Sequence, residues 1–458
     1  MGKLWGARFK GKTDKLADQF TFSIDYDQRL ALYDVIGSMA HAQMLGKQGI
    51  IPKTDAVKII AGLKKIFAQI QSGTFKYDPK AEDIHTDIQN RLKAAIGTPA
   101  DKLHTARSRN DQVVLDMRLY CMDHISQIVP LIINAQKAIV SAAKKFEDVI
   151  IPGYTHLQQA QVTLLAHHWL AYVEMLERDK GRLIDAFKRM DESPLGSCAM
   201  TGTSLRTDRA YVAKLLGLSR VAANSMDAVS SRDFLMETVN AIAILGVHLS
   251  RVAEDLILWS SKEFDFVSLD MAYCTGSSIM PHKKNPDVLE LIRGTSAQLI
   301  GHSTGLMTLV KGLPLTYNRD LQLDKTFVFD AVEPAELMLK LLARIFDTVA
   351  VKKERLAGKV VDESFFCVDV MDYLIKKGVS YRDAHDILGK MVKECLDKGK
   401  NISDLSLAEL KGYARQFEAD VKKLFNPQMS VKIKNSSGST NPGLVHQQLA
   451  AWSKKLHA

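Results

Sequence analysis

Long stretches of this chain place apolar residues at steps of three, four and seven, which is the spacing of one buried face of an α-helix. The stretch over residues 162–190 is the clearest, because Gly181 is its only glycine and it has no proline. Similar stretches cover residues 113–146, 226–261, 288–310 and 327–349. Five helices of this length predict an all-α fold with a central bundle, and Pro130 predicts a kink. Alternating strand patterns and regular repeats are not evident, which argues against sheets and solenoids.

The rest of the chain divides around this bundle. Residues 1–106 are short amphipathic segments separated by glycine and proline, residues 107–355 hold the long helices, and residues 356–458 return to shorter segments. These changes predict three domains. The stretch over residues 242–259 is apolar on nearly every side, more than one small bundle can cover. We therefore expect an oligomer.

Composition narrows the class of protein. The 458 residues are 46% hydrophobic and 25% charged with a net charge of +9, which are globular proportions and exclude a disordered chain. The basic residues are spread along the chain, so we expect no nucleic-acid partner. The apolar stretches are too short to span a bilayer and no targeting signal is evident, so we expect no membrane partner. Five separated cysteines without a C-x-x-C pair indicate a reduced, cytoplasmic protein, and no metal or cofactor is expected.

One motif near the N-terminus is interpreted as a chance match to a nucleotide-binding pattern. Residues 6–13, GARFKGKT, fit the phosphate-loop pattern G-x-x-x-x-G-K-[ST] at every fixed position. Such a loop needs a strand before it and a helix after it, so that backbone amides face the phosphates. Only five residues precede Gly6, too few for a buried strand, so we interpret the segment as a basic N-terminal loop.

The most unusual segment spans residues 275–286, with the sequence TGSSIMPHKKNP. Consecutive serine and glycine amides can form an anion-binding nest. Lys283 can neutralise a developing oxyanion, and Ser277 can act as a base or a nucleophile if positive neighbours favour its deprotonated form. The segment therefore predicts a functional loop between two helices.

This segment resembles the signature loop of the fumarase, aspartase and argininosuccinate lyase superfamily, G-S-S-x-M-P-x-K-x-N-P, at every fixed position. Residues 104–112 and 153–161 look like the first two conserved regions of the argininosuccinate lyase family. Further likeness lies in residues 3–6, 82–85, 193–197, 231–234 and 313–322. The resemblance thus covers nearly the whole chain.

Five positions depart from the usual family pattern, and none is a position that the family uses for proton transfer. They are Ala106, Val162, Thr86, Asp87 and Leu323. The departures bear on fine substrate geometry and leave the reaction class unchanged.

The resemblance implies reversible β-elimination of argininosuccinate to fumarate and L-arginine, a step of arginine biosynthesis and of the urea cycle. It implies that Ser277 takes a proton from carbon and that His156 protonates the leaving nitrogen, the acid being the less secure assignment. Lys283 and Asn285, with the loop amides, are suited to stabilise a doubly charged aci-carboxylate. Glu290 is expected to hold a histidine.

Further residues carried over by the resemblance are expected to bind the substrate. The direct contacts are Ser23, Asn110, Thr155, Tyr317, Gln322 and Lys325. Ser108 and Arg109 lie in the same conserved region as Asn110. Arg232 is expected to orient charge, and Asp83 and His85 to face the arginine part of the substrate. A purely structural salt bridge is the alternative for these three residues and for Glu290.

The family also implies a homotetramer with a core of twenty helices. Each active site would take one segment, near residues 110, 155 and 280, from each of three subunits. This arrangement agrees with the excess of apolar helix surface.

Three other interpretations stay open. A superfamily member acting on a different amine, such as an adenylosuccinate lyase, would differ in the succinyl substrate that it cleaves. A catalytically silent structural protein on the same scaffold, as in the crystallin relatives, would show no turnover. A phosphate-loop nucleotide binder would lose nucleotide affinity in a Lys12→Ala variant.

Overall fold

The computed structural model describes residues 14–457. The phosphate-loop pattern at residues 6–13 and the family-like residues 3–6 lie outside this range. In the described range the chain is built mainly from helices. In chain order they are α1 (Lys15–Thr21), α2 (Ile24–Asp27), α3 (Ala31–Lys47), α4 (Lys53–Gln71), α5 (Ile84–Ile96), α6 (Arg109–Lys145), α7 (Leu165–Met190), α8 (Arg209–Leu215), α9 (Ser225–Ser230), α10 (Asp233–Ser260), α11 (Asp287–Val310), α12 (Asp324–Thr348), α13 (Lys353–Lys359), α14 (Cys367–Lys376), α15 (Tyr381–Asp397), α16 (Leu407–Tyr413), α17 (Pro427–Lys432) and α18 (Pro442–His457).

The all-α fold class is confirmed, with small two-stranded ladders that the sequence pattern did not predict. The strands are β1 (Ile150–Thr155), β2 (Gln158–Leu164), β3 (Glu192–Ser193), β4 (Arg220–Val221), β5 (Val267–Ser268) and β6 (Ala350–Val351). The β1–β2 and β5–β6 pairs are antiparallel, and the β3–β4 pair is parallel. The β1–β2 hairpin matters most here because Thr155 lies at its end and His156 in its turn.

The five long apolar stretches correspond to α6, α7, α10, α11 and α12, with two notable differences. Residues 162–164, predicted as helix, belong to β2, where the backbone N–H of Leu164 donates to Thr440 Oγ1 at 2.8 Å. The stretch over residues 226–261 is divided between α9 and α10. The break falls where the guanidinium of Arg232 folds back and donates to the carbonyl of Ser231 at 2.9 Å. Helix α6 runs on through Pro130.

The described chain forms two compact units. The first comprises the described residues up to Pro130, Asp179–Val247 and Thr295–Glu336. The second comprises Leu131–Arg178, His248–Gly294 and the residues from Leu337 onward. The boundaries of the three predicted domains, at residues 106 and 355, stay a prediction.

In the second unit, a core cluster lies between the C-terminal helices. It includes Val370, Leu374, Leu388, Met391, Phe417 and Val421. Val370 and Leu374 follow the helical spacing of α14, and Leu388 and Met391 follow that of α15, so each helix buries one face in this cluster. The same unit holds an edge-to-face pair of Trp169 and Phe346, whose ring centroids are 5.4 Å apart.

Helix α6 is a described helix that is long and apolar enough to cross a membrane, judged by length and composition alone. Half of its most apolar 18-residue window is buried inside the fold. It also buries polar groups, since the side chain of Gln136 donates to the carbonyl of Val173 at 3.1 Å. Core helices of water-soluble proteins pass the same test, so this helix is weak evidence for a membrane.

In the first unit, Gly46 allows α3 and α4 to pack closely. A Cβ atom at Gly46 would lie 2.5 Å from the Cβ of Ala56, which can move only with its backbone. We expect Gly46→Ala to lower the free energy of unfolding by about 1–3 kcal/mol, measured by urea denaturation. Gly181→Ala is the matched control, since no atom lies within 4 Å of its Cβ position in α7. The control should gain about 0.5–1 kcal/mol, and equal effects of the two variants would contradict this account.

Candidate active site

The first unit contains a cleft of about 1360 Å³, larger than a typical small-molecule site. Nine of the predicted substrate-binding residues line it. They are Ser23, Asp83, His85, Ser108, Arg109, Asn110, Tyr317, Gln322 and Lys325. They come from four places in the sequence: the start of α2, the start of α5, the start of α6 and the segment that leads into α12.

Helix starts position the polar groups on one side of the cleft. Asp83 caps α5, because its carboxylate accepts from the backbone N–H of Thr86 at 2.7 Å. It also lies 3.3 Å from a guanidinium nitrogen of Arg109. Ser108 precedes α6, and its hydroxyl accepts from the backbone N–H of Asn110 at 3.2 Å. These contacts hold Arg109 and Asn110 at the cleft.

His85 lies between two buried carboxylates. Its Nδ1 is 3.1 Å from Asp34 Oδ1 and 3.6 Å from Asp116 Oδ2. Burial raises the pKa of Asp116, and repulsion from Asp34 adds to this rise. The Nδ1 side of His85 therefore faces the two carboxyl groups. Its expected place beside the arginine part of the substrate stays a prediction.

The same three residues are spaced as metal ligands are. One ligand atom from each of Asp34, His85 and Asp116 lies within 4.8 Å of the others. The positive charges of Arg107 and Lys325 already act on Asp116. These positive charges partly offset the carboxylates. The expectation of no metal stays a prediction.

Arg232 lies below the surface rather than among the residues that line the cleft. Its Nε donates to Asp324 Oδ2 at 2.5 Å, and Lys325 Nζ donates to Asp324 Oδ1 at 3.0 Å. The Arg232 side chain is 1% exposed. Its position fits the structural salt bridge that was left open as an alternative. Asp324 thereby fixes Lys325, which does line the cleft.

The second unit carries the other six candidate residues at two places. The first place is the turn of the β1–β2 hairpin, where Thr155 pairs with Gln158 across two residues. Those two, His156 and Leu157, have φ angles of 56° and 57°. Two consecutive left-handed residues define a type I′ turn, and the turn leaves His156 exposed. The sequence placed His156 before a helix and missed the strands, because β2 is half-exposed and rich in glutamine.

The second place is the loop over residues 275–286. Thr275 and Asn285 form its neck, exchanging two backbone hydrogen bonds of 3.1 and 2.8 Å. Inside the loop, Ser277 Oγ accepts from the backbone N–H groups of Ile279 at 3.3 Å and Met280 at 3.0 Å. Lys283 is exposed. Two backbone N–H groups thus point at the Ser277 oxygen. The role of Ser277 as a base stays a prediction.

Asn285 at the end of the loop and Glu290 in the helix after it both contact neighbouring residues. Asn285 Nδ2 lies 3.4 Å from both Thr275 Oγ1 and the carbonyl of Gly276, so its amide supports the neck. Glu290 lies at the start of α11 and pairs with Arg293 at 3.9 Å. Within the described part of the chain this arginine, rather than a histidine, is the ion-pair partner found for Glu290. Its role toward a histidine stays a prediction.

Sequence reasoning missed the buried acids around the cleft. Asp27 lines the cleft, and burial raises its pKa to about 7. Asp111 is buried behind Ser108, and its carboxylate accepts from the backbone N–H groups of Ser108 at 2.9 Å, Gly196 at 3.1 Å and Cys198 at 2.8 Å. Burial raises its pKa to about 6 despite these donors. The sequence offered one signal for the burial of Asp27: it lies three residues before the apolar Leu30, on the same face of a helix.

Comparisons with known proteins agree with these observations. The chain matches the family model described as "Lyase" over residues 7–301 and the model "Argininosuccinate lyase C-terminal" over residues 366–432. An argininosuccinate lyase of Symbiobacterium thermophilum is 48% identical over 450 residues, 98% of each chain. One of Pelotomaculum thermopropionicum is 47% identical over 445 residues, 97% of each chain. A crystal structure of EDDS lyase in complex with formate has a TM-score of 0.82 at 25% identity, covering 98% of this chain and 91% of the other.

The helical fold, the signature loop and the long match to the lyase model define an enzyme of the lyase class. Within that class, relatives that are 47–48% identical over nearly the whole chain show which family it belongs to. The chain belongs to the argininosuccinate lyase family. The resemblance inferred from the sequence motifs is thereby confirmed.

Proposed function

We propose that this chain catalyses the reversible cleavage of argininosuccinate to fumarate and L-arginine, as a step of arginine biosynthesis. The observation that carries the proposal is the mixed charge of the cleft. Arg109 and Lys325 face the same space as Asp83 and Glu82, with the neutral donors of Asn110, Tyr317 and Gln322 between them. A ligand with several carboxylates, an ammonium group and a guanidinium needs both kinds of partner.

The reaction requires removal of a proton next to a carboxylate. We assign this step to Ser277, whose oxygen accepts two backbone N–H groups. The electron pair of the broken C–H bond moves onto the carboxylate, which becomes a doubly charged aci-carboxylate. Lys283, Asn285 and the loop amides are suited to stabilise that charge.

In the second step the electron pair of the aci-carboxylate moves back to form the carbon–carbon double bond, and the carbon–nitrogen bond breaks. The departing guanidinium nitrogen then takes a proton, and fumarate remains. We assign the proton donor to His156, which is exposed in the hairpin turn and so is accessible to a ligand. Glu290 is retained as an orienting residue.

We further infer a homotetramer whose sites take segments from three subunits. Several large apolar side chains on the long helices are exposed in the single chain: Val247, Leu291, Ile300, Met307 and Leu337. Such residues on core helices are typical of subunit interfaces.

The free state of all five cysteines supports a reducing, cytoplasmic location.

A mixing experiment tests the shared sites. Ser277→Ala and Asn110→Ala chains are each expected to be nearly inactive, because each variant lacks one segment of every site. Refolding them together in equal amounts should restore about a quarter of wild-type turnover, the fraction of sites that receive both intact segments by chance. Each variant refolded alone is the control. No recovery in the mixture would contradict sites shared between subunits.

The activity itself is tested by following fumarate absorbance with purified chain. Turnover of argininosuccinate, with none of adenylosuccinate or other succinyl amines, is the expected result. Preference for another succinyl compound would favour a different branch of the superfamily, and no turnover of any would favour a silent scaffold protein.

A further inference from the structure

Asp27 and Ser23 form a buried hydrogen-bonded pair at the cleft. Asp27 Oδ2 lies 2.6 Å from Ser23 Oγ, and Asp27 Oδ1 accepts from the backbone N–H of Ile84 at 3.0 Å. Both side chains line the cleft, yet Asp27 is 1% and Ser23 4% exposed. The backbone N–H of Ser23 is fixed as well, since it donates to the carbonyl of Glu82 at 2.8 Å.

The direction of the hydrogen bond between the two side chains decides what Ser23 offers a ligand. An ionised carboxylate only accepts, so the single hydroxyl proton of Ser23 is then committed to Asp27. Ser23 presents lone pairs to the cleft in that state, and lone pairs repel a ligand carboxylate. A protonated Asp27 instead donates to Ser23 Oγ, and the hydroxyl proton of Ser23 becomes free to donate to the ligand.

The surroundings of Asp27 allow both states. The titratable and charged groups that face it are Tyr26 on its own helix, Asp83 at the start of α5 and Lys325 at the start of α12. Asp83 disfavours a second negative charge, whereas Lys325 favours it. The attraction of Lys325 is shared, because Lys325 also pairs with Asp324 at 3.0 Å. With burial as the largest cause, the pKa of Asp27 rises to about 7, so both forms are populated near neutral pH.

We propose that Asp27 is a proton-linked specificity residue: a substrate carboxylate binds at Ser23 when Asp27 carries a proton. A proton from solvent binds Asp27 Oδ2 and stays there, donating a hydrogen bond to Ser23 Oγ, while the O–H of Ser23 turns to the ligand. Binding therefore takes up a proton. The proposal rests on the proposed function only in that the substrate places a carboxylate at Ser23.

Calorimetry measures this proton directly. Argininosuccinate is titrated into full-length Ser277→Ala chain at pH 7.5, in buffers that differ in ionisation enthalpy. We expect an uptake of roughly 0.5–0.9 proton per site, as a carboxyl group with a pKa about half a unit below the working pH requires. We expect the affinity to weaken as the pH rises through 7.

The decisive variant is Asp27→Asn in the Ser277→Ala background. Its amide can accept from Ile84 and donate to Ser23, as the protonated acid would, so binding should stay tight and become independent of pH with no proton uptake. A merely structural role for Asp27 would leave the proton uptake in place. Ser23→Ala provides a second route if Asp27→Asn folds poorly, since it removes the acceptor and should also abolish the uptake.

Asp25→Asn is the matched control. Asp25 lies two residues away on the same helix, is exposed and carries the same charge. Its substitution should leave the proton uptake unchanged. Unchanged uptake in Asp27→Asn, or no uptake in the parent chain, would overturn the proposal while leaving the proposed function intact. Failure of the parent chain to bind argininosuccinate would overturn both.

Discussion

Replacing Ser277 with alanine is expected to lower the turnover of argininosuccinate about 10³-fold, within the range for loss of a general base. The change removes the oxygen that accepts from the N–H groups of Ile279 and Met280. Little packing is lost, since Ser278, Ile279 and Met280 beside it are exposed. The thermal unfolding midpoint should therefore stay close to that of the unchanged chain. Fumarate absorbance under saturating substrate gives the turnover number.

Ser278→Ala is the matched control for this experiment. Ser278 is the next residue of the same loop, is exposed and keeps the same backbone amide after substitution. We expect its turnover to stay within about threefold of the unchanged chain. Wild-type turnover in Ser277→Ala would remove Ser277 from the mechanism, and equal losses in the two variants would point to loop conformation instead.

The second large effect is expected on stability, at Asp324. This carboxylate is fully buried and holds two buried cations, Arg232 at 2.5 Å and Lys325 at 3.0 Å. Asp324→Asn removes the carboxylate charge that pairs with both buried cations. Removing one partner of a buried pair costs about 3–5 kcal/mol, so urea should unfold the variant at a clearly lower concentration.

An exposed ion pair serves as the control for the buried contacts of Asp324. Arg189 and Glu237 are 2.7 Å apart, but their side chains are 58% and 36% exposed. Because water screens such a pair, Glu237→Gln should change the free energy of unfolding by less than about 1 kcal/mol. Similar losses in Asp324→Asn and Glu237→Gln would show that burial does not set the strength of the Asp324 contacts.

The long helices were predictable because their apolar spacing is repeated over many turns. The stretch predicted over residues 288–310 is α11, Asp287–Val310, and the stretch over 327–349 is α12, Asp324–Thr348. Helix ends were less predictable, since polar contacts decide them. Helix α6 begins at Arg109, before the apolar spacing starts. Ser108 Oγ accepts from the N–H of Asn110, and the Asp111 carboxylate accepts from the N–H of Ser108, so both side chains fix this helix start.

The candidate site was predictable where it lies in a motif. Ser277, Lys283 and Asn285 stand in a segment whose composition is unusual on its own, and the cleft collects nine residues that the family pattern named. Asp27 and Asp111 lie outside any such pattern. Their importance comes from burial and from backbone donors distant in sequence, such as Gly196 for Asp111, which no local spacing reveals.

The hairpin turn that carries His156 has a consequence for engineering the chain. His156 and Leu157 both occupy the left-handed conformation, which glycine and asparagine adopt most easily. Any other residue at either position costs about 1–2 kcal/mol. A consensus or thermostability redesign guided by backbone preference alone would write Asn-Gly at these positions. The product would melt later and lack its imidazole, so this pair should be held constant in any such library.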